Sequence, residues 1–377
     1  MFLSPSLTSI VVEAGPDGEL SNIRGLAATS LLRHIEGTCH DLQHLQLFSV
    51  SEEKHGSTYQ DHSDFTCADF WERPFFEWLV GFQLQKLGCT TELVSSEWIH
   101  LLGEFPLLKK LDLYRYHGCE VAVSRPKALP RLEHFGIHFA SCSDVETIAR
   151  LGLLEGLKSL TIVFRDINAV VEDGWEKSII LSISRNSPGL TKLHLEFDNN
   201  CKFMPDMPSF RPLGALPLVE VCLKGSVYVR NDQLEGLDVI WPNVTWFEMW
   251  DTEEDLELEE LQHFVKLPRV QYLALPVSWY DGIPQSIAPA EPSHTLQTFE
   301  FLNDDLYPDF DVPLFAQYLL SLWPNLESVR WPWADSRPQP SELESNVRLK
   351  ALSRTVASQQ KLNQLKPHTI EKHGPNG

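Results

Sequence analysis

One six-residue pattern, apolar-x-x-apolar-x-apolar, recurs along the 377-residue chain and constrains its fold more than any other feature. Its twelve copies begin at Leu7, Leu42, Leu84, Leu108, Leu132, Leu157, Leu190, Leu218, Val244, Val270, Leu296 and Leu326. The average step of about 29 residues is typical of solenoid repeats. Alternating apolar positions predict a short strand in each copy, and such a strand buries its core only by stacking on its neighbours.

Proline marks the start of most copies. It stands two positions before the first apolar residue at Pro5, Pro106, Pro130, Pro188, Pro242, Pro268 and Pro324, and one position before it at Pro217. Proline cannot continue a helix, and it disfavours helix in the residue before it. Each proline therefore predicts the end of one segment just before the next strand begins.

Segments with apolar residues three or four positions apart separate the copies and predict helices. They span residues 22–38, 143–154, 175–185, 256–267 and 312–322, with Asp144 and Asp173 at expected N-cap positions. Strand, loop, helix and return, repeated about twelve times, predict an α/β solenoid over residues 1–340. We expect a further helix over 341–366, as a cap or an appendage, and a disordered tail over 367–377.

The L-x-x-L-x-L core with a helix per repeat resembles leucine-rich repeats. The lead-ins Trp-Pro-Asn at 241–243 and 323–325, Leu-Pro-Arg at 267–269 and the opening FLSPSLTSI are similar to fungal F-box-like proteins. The resemblance implies a curved horseshoe with a parallel concave sheet and helices on the convex side. In that family an N-terminal F-box docks a cullin-based ubiquitin ligase through a Skp-type adaptor, and the repeats hold the substrate. The resemblance thus implies the substrate-recognition region of an SCF ubiquitin ligase.

The sequence shows no F-box segment ahead of the first copy, and Leu-Pro-Arg-Leu-Glu at 129–133 is a repeat lead-in. Two alternatives follow. The chain is the C-terminal part of a longer F-box protein, which we favour, or it is a relative without the adaptor-binding module. For the function, the alternative to a ligase receptor is a standalone leucine-rich-repeat scaffold or adaptor without a ubiquitin-ligase link. A Skp-type adaptor is an expected partner only if an upstream F-box exists.

Composition narrows the partners and the compartment. The 52 acidic and 31 basic residues give a net charge of −21, which opposes binding to nucleic acid or anionic membrane surfaces. Seven cysteines without a CxxC motif favour free thiols in a reducing compartment. The N-terminus has no basic n-region, and no apolar run reaches the length of a membrane span. We expect a cytoplasmic or nuclear protein.

The sequence predicts no enzyme, no cofactor and no metal site. The GxGxxG, GxxxxGK[ST], GxSxG and HExxH motifs are absent. His40 and His44 have i,i+4 spacing, but His44 falls on a predicted strand. His134 and His138 lie about 13 Å apart on one strand face, too far to share one zinc ion.

An acidic run over residues 251–260 has seven carboxylates in ten positions. We interpret it as a solvated loop that leads into the predicted helix at 256–267, where acidic residues complement the helix dipole. A site for a cation or a basic partner is the alternative.

Strand alternation places the residues at offsets two, four and six from the first apolar residue on one face, in three columns. We call this face, expected to be concave, the polar face. The early copies place there Lys86, Lys110, Lys192, His44, His134, His138 and His194. The later copies place there Glu220, Glu248, Glu300, Trp246, Trp250 and Tyr272.

Exposed tryptophan and tyrosine are enriched at interface hot spots. We therefore predict that the cluster of Trp246, Trp250 and Tyr272, rimmed by Glu248 and Glu300, anchors a protein partner with basic or apolar residues. The predicted partner-binding set also includes Lys110, His134, His138, Lys192 and His194. The alternative is that loops fold over the rings and bury them, since Trp279 and Tyr280 follow closely.

Overall fold

The computed structural model divides the chain into two units. The first comprises Met1–Pro205 and Ala215–Leu218, and the second comprises Asp206–Gly214 and Val219–Gly377. The structure describes residues 4–13, 33–49, 79, 81–90, 105–114, 131–140, 145, 148–149, 152–164, 175–197, 206–225, 234–250, 255–278, 291–302, 312–330, 353–358 and 360–361.

The first unit contributes seven parallel strands, each paired with the next along the chain. They are β1 Ser9–Glu13, β2 His44–Ser49, β3 Lys86–Thr90, β4 Lys110–Tyr114, β5 His134–Ala140, β6 Ser159–Phe164 and β7 Lys192–Phe197. Helix α1 spans Trp175–Asn186, one residue beyond its predicted end. Residues 33–38, 145 and 148–149 are also helical, within two of the predicted helical segments.

The second unit contributes five strands that pair in the same way, and a separate two-stranded parallel ladder of β10 with β12. The strands are β8 Glu220–Gly225, β9 Trp246–Trp250, β10 Leu256–Glu257, β11 Tyr272–Leu275, β12 Val277–Ser278, β13 Thr298–Phe301 and β14 Ser328–Arg330. The helices are α2 Leu237–Ile240, α3 Leu261–Phe264 and α4 Val312–Leu322, with 3-10 segments at Met207–Ala215 and Leu258–Glu260.

The α/β class and the parallel strand arrangement predicted from the sequence are confirmed. Twelve strands among the described residues follow the order of the chain, and each begins two residues after the first apolar residue of a copy. Residues at equal offsets stand opposite each other, as Lys86 does to Lys110 and Trp246 does to Tyr272. The columns of the polar face therefore exist within each unit.

Pairs of main-chain hydrogen bonds recur at the start of the strands within each unit. The carbonyl oxygen of Gln85 accepts the N–H groups of Lys109 and Lys110 at 2.8 and 3.0 Å. The same double acceptance recurs at Thr8, Gln43, Lys109, Glu133, Lys158, Val219, Thr245, Gln271 and Gln297. At Lys158 and Val219 a threonine hydroxyl, of Thr191 and Thr245, also donates to the same oxygen. Both threonines lie outside the three columns, so no column side chain takes part in these bonds.

The lead-in prolines occupy a tight turn just before the strands. Leu190 N–H donates to the carbonyl oxygen of Ser187 at 3.0 Å, which places Pro188 at the second position of the turn. Proline is favoured there because its fixed φ suits that position. Equivalent bonds precede Leu7, Leu108, Val244 and Leu326. The predicted punctuation is confirmed at these copies, while Pro130 lies outside the described residues.

The core lies on the apolar face of the strands. In the second unit, Trp241 packs against Phe247 of β9 with ring centroids 4.9 Å apart, and Phe315 of α4 packs against Phe301 of β13 at 5.5 Å. Trp323 stacks on Phe299 of β13 at 5.5 Å. The tryptophans of both Trp-Pro-Asn lead-ins are thus core residues, and in the second unit α3 and α4 pack on the face opposite the polar one.

Two helix predictions have different outcomes. The prediction over 312–322 is confirmed, since α4 spans Val312–Leu322. A single helix over 256–267 is wrong, because Leu256 and Glu257 pair with Val277 and Ser278 as strands. A 3-10 segment and the single turn of α3 follow instead.

Several predicted features fall partly or wholly outside the described residues. Asp144, Asp173 and the tail at 367–377 lie outside them, as does most of the predicted C-terminal helix. Residues 353–358 and 360–361 of that helix are described and are helical. Ser353 Oγ donates to the carbonyl oxygen of Val329 in β14 at 2.9 Å, and Val356 is buried. This short segment therefore contacts the last strand of the second unit.

Candidate protein-binding surface

The ten predicted partner-binding residues fall into two groups, five in each unit. The second unit holds Trp246, Glu248, Trp250, Tyr272 and Glu300, which we call the aromatic–carboxylate cluster. Phe247 and Met249 of β9 are fully buried, so alternation turns the other three residues of that strand to the polar face.

Glu248 lies between the two tryptophans of its own strand. Trp246 Nε1 donates to Oε1 of Glu248 at 2.7 Å, and Trp250 Nε1 donates to Oε2 at 3.1 Å. Each carboxylate oxygen therefore accepts one indole N–H. Bonds between an ionised acceptor and a neutral donor are stronger than neutral pairs, and they fix the orientation of both rings.

Tyr272 joins this strand to β11 and β13. Its ring stacks on Trp246 with centroids 3.6 Å apart and planes inclined by 13°. Its hydroxyl donates to Oε2 of Glu300 at 2.7 Å. The sequence-based expectation that this tyrosine is exposed is wrong, because only 8% of it is accessible against 41% of Trp246. The tyrosine supports the stack, and the tryptophan presents it to solvent.

The environment of Tyr272 keeps its hydroxyl protonated. Burial raises the pKa of the phenol, and the hydrogen bond to Glu300 and the charges of Glu300 and Glu248 raise it further, against a smaller opposing effect of Arg330. At physiological pH the hydroxyl is therefore a neutral donor that holds the Glu300 carboxylate in place.

Ala274 separates the two carboxylates in the middle column. Glu248, Ala274, Glu300 and Arg330 stand opposite one another on β9, β11, β13 and β14. Within the described part of the chain, the hydrogen-bond partners of Glu248 and Glu300 are the neutral indoles and the phenol. The neutral donors thus hold two carboxylates in position without cancelling their charge, while Arg330 stands across from Glu300 at the edge of the cluster. Trp279 and Tyr280, the rings of the covering loop in the alternative interpretation, lie outside the described residues.

The first unit carries a basic column on its polar face. His44, Lys86, Lys110 and His134 stand directly opposite one another on β2 to β5. Burial lowers the pKa of His44, and the positive charges of Lys86 and Lys110 lower it further, while Asp112 acts in the opposite direction. The pKa of His134 is lowered in the same way, first by burial. At neutral pH the positive charge of this column is therefore that of Lys86 and Lys110, between two neutral imidazoles.

Asp112 stands in the middle column next to the basic column, and it was not among the residues predicted from the sequence. Its Oδ2 lies 3.0 Å from Nζ of Lys110. Gly88 and Gly136 stand beside it in the middle column, and a Cβ on Gly136 would collide with the Asp112 carboxylate. The alternating Gly-Asp-Gly column was visible in the sequence, but only strand pairing shows that the second glycine makes room for the acid.

The remaining predicted residues of the first unit lie further along the polar face. His138 lies in the third column, on β5, four residues after His134. Lys192 is exposed at the start of β7. His194 follows in the middle column, with Nε2 3.8 Å from Oε2 of Glu196. The structure thus spreads the five residues over β4, β5 and β7 instead of joining them in one contact.

Part of the acidic run forms the 3-10 segment Leu258–Glu260 and its N-cap, Glu257. Glu257 N–H donates to Oε2 of Glu260 at 2.7 Å in a capping box, and Glu260 is buried. Residues 251–254 lie outside the described residues.

Among the described residues, no group of three or more His, Cys, Asp or Glu side chains could hold a metal ion. No helix in the same residues is long and apolar enough to cross a membrane.

Neither the scan of protein-family models nor the search of curated proteins found a match to this chain.

Proposed function

We propose that this chain is a leucine-rich-repeat protein-interaction module that binds a partner on its polar face. The carrying observation is the exposed Trp246, stacked on a buried tyrosine and bonded to Glu248. A large aromatic side chain held in place by its neighbours loses little conformational entropy on binding, which favours its use as an anchor. The regular columns support the leucine-rich-repeat assignment.

We further propose that the module is the substrate-recognition repeat region of an F-box-type ubiquitin ligase receptor. This part rests on the resemblance of the repeats and lead-ins to fungal F-box-like proteins. The alternative is a standalone scaffold or adaptor that binds its partner by the same surface and has no ligase link. Both proposals require the same partner-binding surface, but only the ligase receptor also binds a Skp-type adaptor.

Co-precipitation of the full-length gene product separates them. A ligase receptor brings down the Skp-type adaptor together with its partner, whereas a scaffold brings down the partner alone. Recovery of a partner without the adaptor would therefore contradict the ligase proposal and leave the binding proposal standing.

The binding surface is tested by the double variant Trp246→Ala, Trp250→Ala. We expect it to remain folded by circular dichroism and to lose the partner that the wild type captures. Val239→Ala is the matched control, since Val239 is 70% exposed in the same unit and lies on α2, away from the polar face. Retention of every partner by the folded double variant would refute the proposal.

A further inference from the structure

We propose that the aromatic–carboxylate cluster binds an arginine side chain of a protein partner, with the guanidinium lying on the face of Trp246 opposite Tyr272 and donating to Glu248. This inference rests on the proposed function and names the chemistry of its partner. It follows from the position of Trp246, the state of the Glu248 carboxylate and the geometry that the two share.

One face of Trp246 is covered by a neighbouring ring, and the residue as a whole remains partly accessible. Tyr272 covers the face towards β11 at a centroid distance of 3.6 Å. The opposite face is turned towards β8, where Glu220 stands directly across from Trp246. Because 41% of the residue is accessible, a flat cation placed between Trp246 and Glu220 would meet both the ring and a carboxylate. An indole is the strongest side-chain partner for cation–π contact.

Glu248 supplies the acceptor next to that face. Its oxygens each accept one indole N–H, and each has a second lone pair to offer. The indoles fix the carboxylate without neutralising it, so its charge remains available to a cation. Glu220 and Lys224 both stand diagonal to Glu248 across β8 and β9, and their opposite charges leave Glu248 itself as the acceptor for the cation.

The combination of a flat ring and a fixed carboxylate selects arginine over lysine. A guanidinium is planar, stacks on aromatic faces and donates several N–H groups in a rigid fork. It can therefore contact the ring and the carboxylate together. An ammonium is a compact and strongly hydrated charge that cannot stack. A purely apolar partner would leave the Glu248 charge desolvated, which is costly.

The test uses the full chain labelled with 5-fluorotryptophan and a nine-residue glycine–serine peptide with two arginines. Matched peptides replace arginine with lysine, leucine or citrulline, the neutral analogue of arginine. Fluorine NMR follows the Trp246 signal, which is assigned from Trp246→Phe. We expect the arginine peptide to shift this signal in a saturable way, the lysine peptide to bind several-fold more weakly, and the citrulline and leucine peptides to leave it unchanged.

Substitutions then locate the contact. Glu248→Gln should weaken the arginine peptide about tenfold or more, because a charged hydrogen bond contributes about 1.5–3 kcal/mol and tenfold is about 1.4 kcal/mol. Glu327→Gln is the matched control, since it removes the same charge from an exposed residue of the same unit beside the first column. Its affinity should equal that of the wild type.

Four results would overturn the inference. They are no shift of the Trp246 signal at millimolar arginine peptide, equal binding of the citrulline or leucine peptide, equal weakening by Glu327→Gln, and concentration-dependent self-association that Trp246→Ala abolishes. The last result would identify a second copy of the chain as the occupant. If the arginine peptide fails while Trp246→Ala, Trp250→Ala still loses the protein partner, the proposed function stands and only the arginine assignment falls.

Discussion

The hydroxyl of Tyr272 donates a 2.7 Å hydrogen bond to Glu300 across neighbouring parallel strands, diagonally from the first column to the middle one. This bond fixes the hydroxyl end of the side chain. The ring of the same residue is buried and stacks on Trp246. A residue that looks like a contact residue in the sequence therefore acts as a positioning residue.

Removal of this hydroxyl should destabilise the second unit without unfolding it. We expect Tyr272→Phe to lower the free energy of unfolding by about 1–3 kcal/mol, because the bond has a charged acceptor. Chemical denaturation measures the change. Glu300→Gln keeps an acceptor for the hydroxyl and should cost less. A Tyr272→Phe variant as stable as the wild type would contradict this account.

Alkaline pH should weaken the fold through the same residue. The folded-state pKa of Tyr272 is raised above its unfolded value of about 10, so its contribution is complete below that pH and is lost as the pH rises through the folded value. We expect stability to fall above about pH 10, and less steeply in Tyr272→Phe than in the wild type. Denaturation midpoints across this range, with phenolate absorbance, provide the check. Equal slopes would assign the effect to other tyrosines, such as Tyr318, whose pKa burial also raises.

The basic column predicts a loss of stability towards acid pH. The folded-state pKa of His44 is lowered, so the contribution of the neutral imidazole is present above the unfolded pKa of about 6.5 and is lost as the pH falls through the folded value. Lys86→Gln should raise the pKa of His44 in a histidine NMR titration. The pKa of His263, lowered by burial and by Lys266 in the other unit, is the control and should not move.

Gly136→Ala should disturb the basic surface. The added methyl group collides with the Asp112 carboxylate, which must turn away and weaken its 3.0 Å ion pair with Lys110. The carboxylate is the end of a flexible side chain and can turn, so we expect a modest loss, below about 1 kcal/mol in unfolding free energy, from the weakened ion pair. Gly81→Ala is the control, because a Cβ there meets nothing within 4 Å. If both variants had the same stability, Gly136 would not be needed to accommodate Asp112.

Two tryptophans five residues apart should respond differently to truncation. Trp241 is fully buried against Phe247 and Phe210, so Trp241→Ala should cost about 3–5 kcal/mol. Trp246 is 41% exposed, so Trp246→Ala should cost only about 1–2 kcal/mol, from its stack on Tyr272 and its bond to Glu248. Thermal unfolding of both variants measures the contrast. A larger loss for Trp246→Ala would make it a core residue and not a contact residue.

The sequence was sufficient for the strands because their signal is repeated. Each copy, such as the one at Leu108, has the same spacing, and the turn chemistry of prolines such as Pro188 agrees with it. Two independent local signals therefore point to the same boundary, and the columns follow from the period of two. Helix α4 was predictable for a similar reason, since its apolar positions recur over three turns.

The sequence failed where a partner distant in the chain decides the outcome. Leu256 and Leu258 alternate with Glu257 and Glu259, a period-two signal too short to outweigh the helical spacing that follows. Pairing of Leu256 with Val277 settles the conformation. Tyr272 is a similar case, because alternation fixes its column, whereas the direction in which its ring leans depends on Glu300 and Trp246.

The carbonyl oxygens that each accept two N–H groups have an evolutionary consequence. Since no column side chain takes part in these bonds, substitutions in the three columns can change stability but leave the spacing of successive copies in place. A lineage can exchange Trp246 or Lys110 for another residue and acquire a new specificity without first acquiring a new backbone. Diversification of such a protein should therefore concentrate on the column positions, while the leucines and the turn prolines between them change slowly.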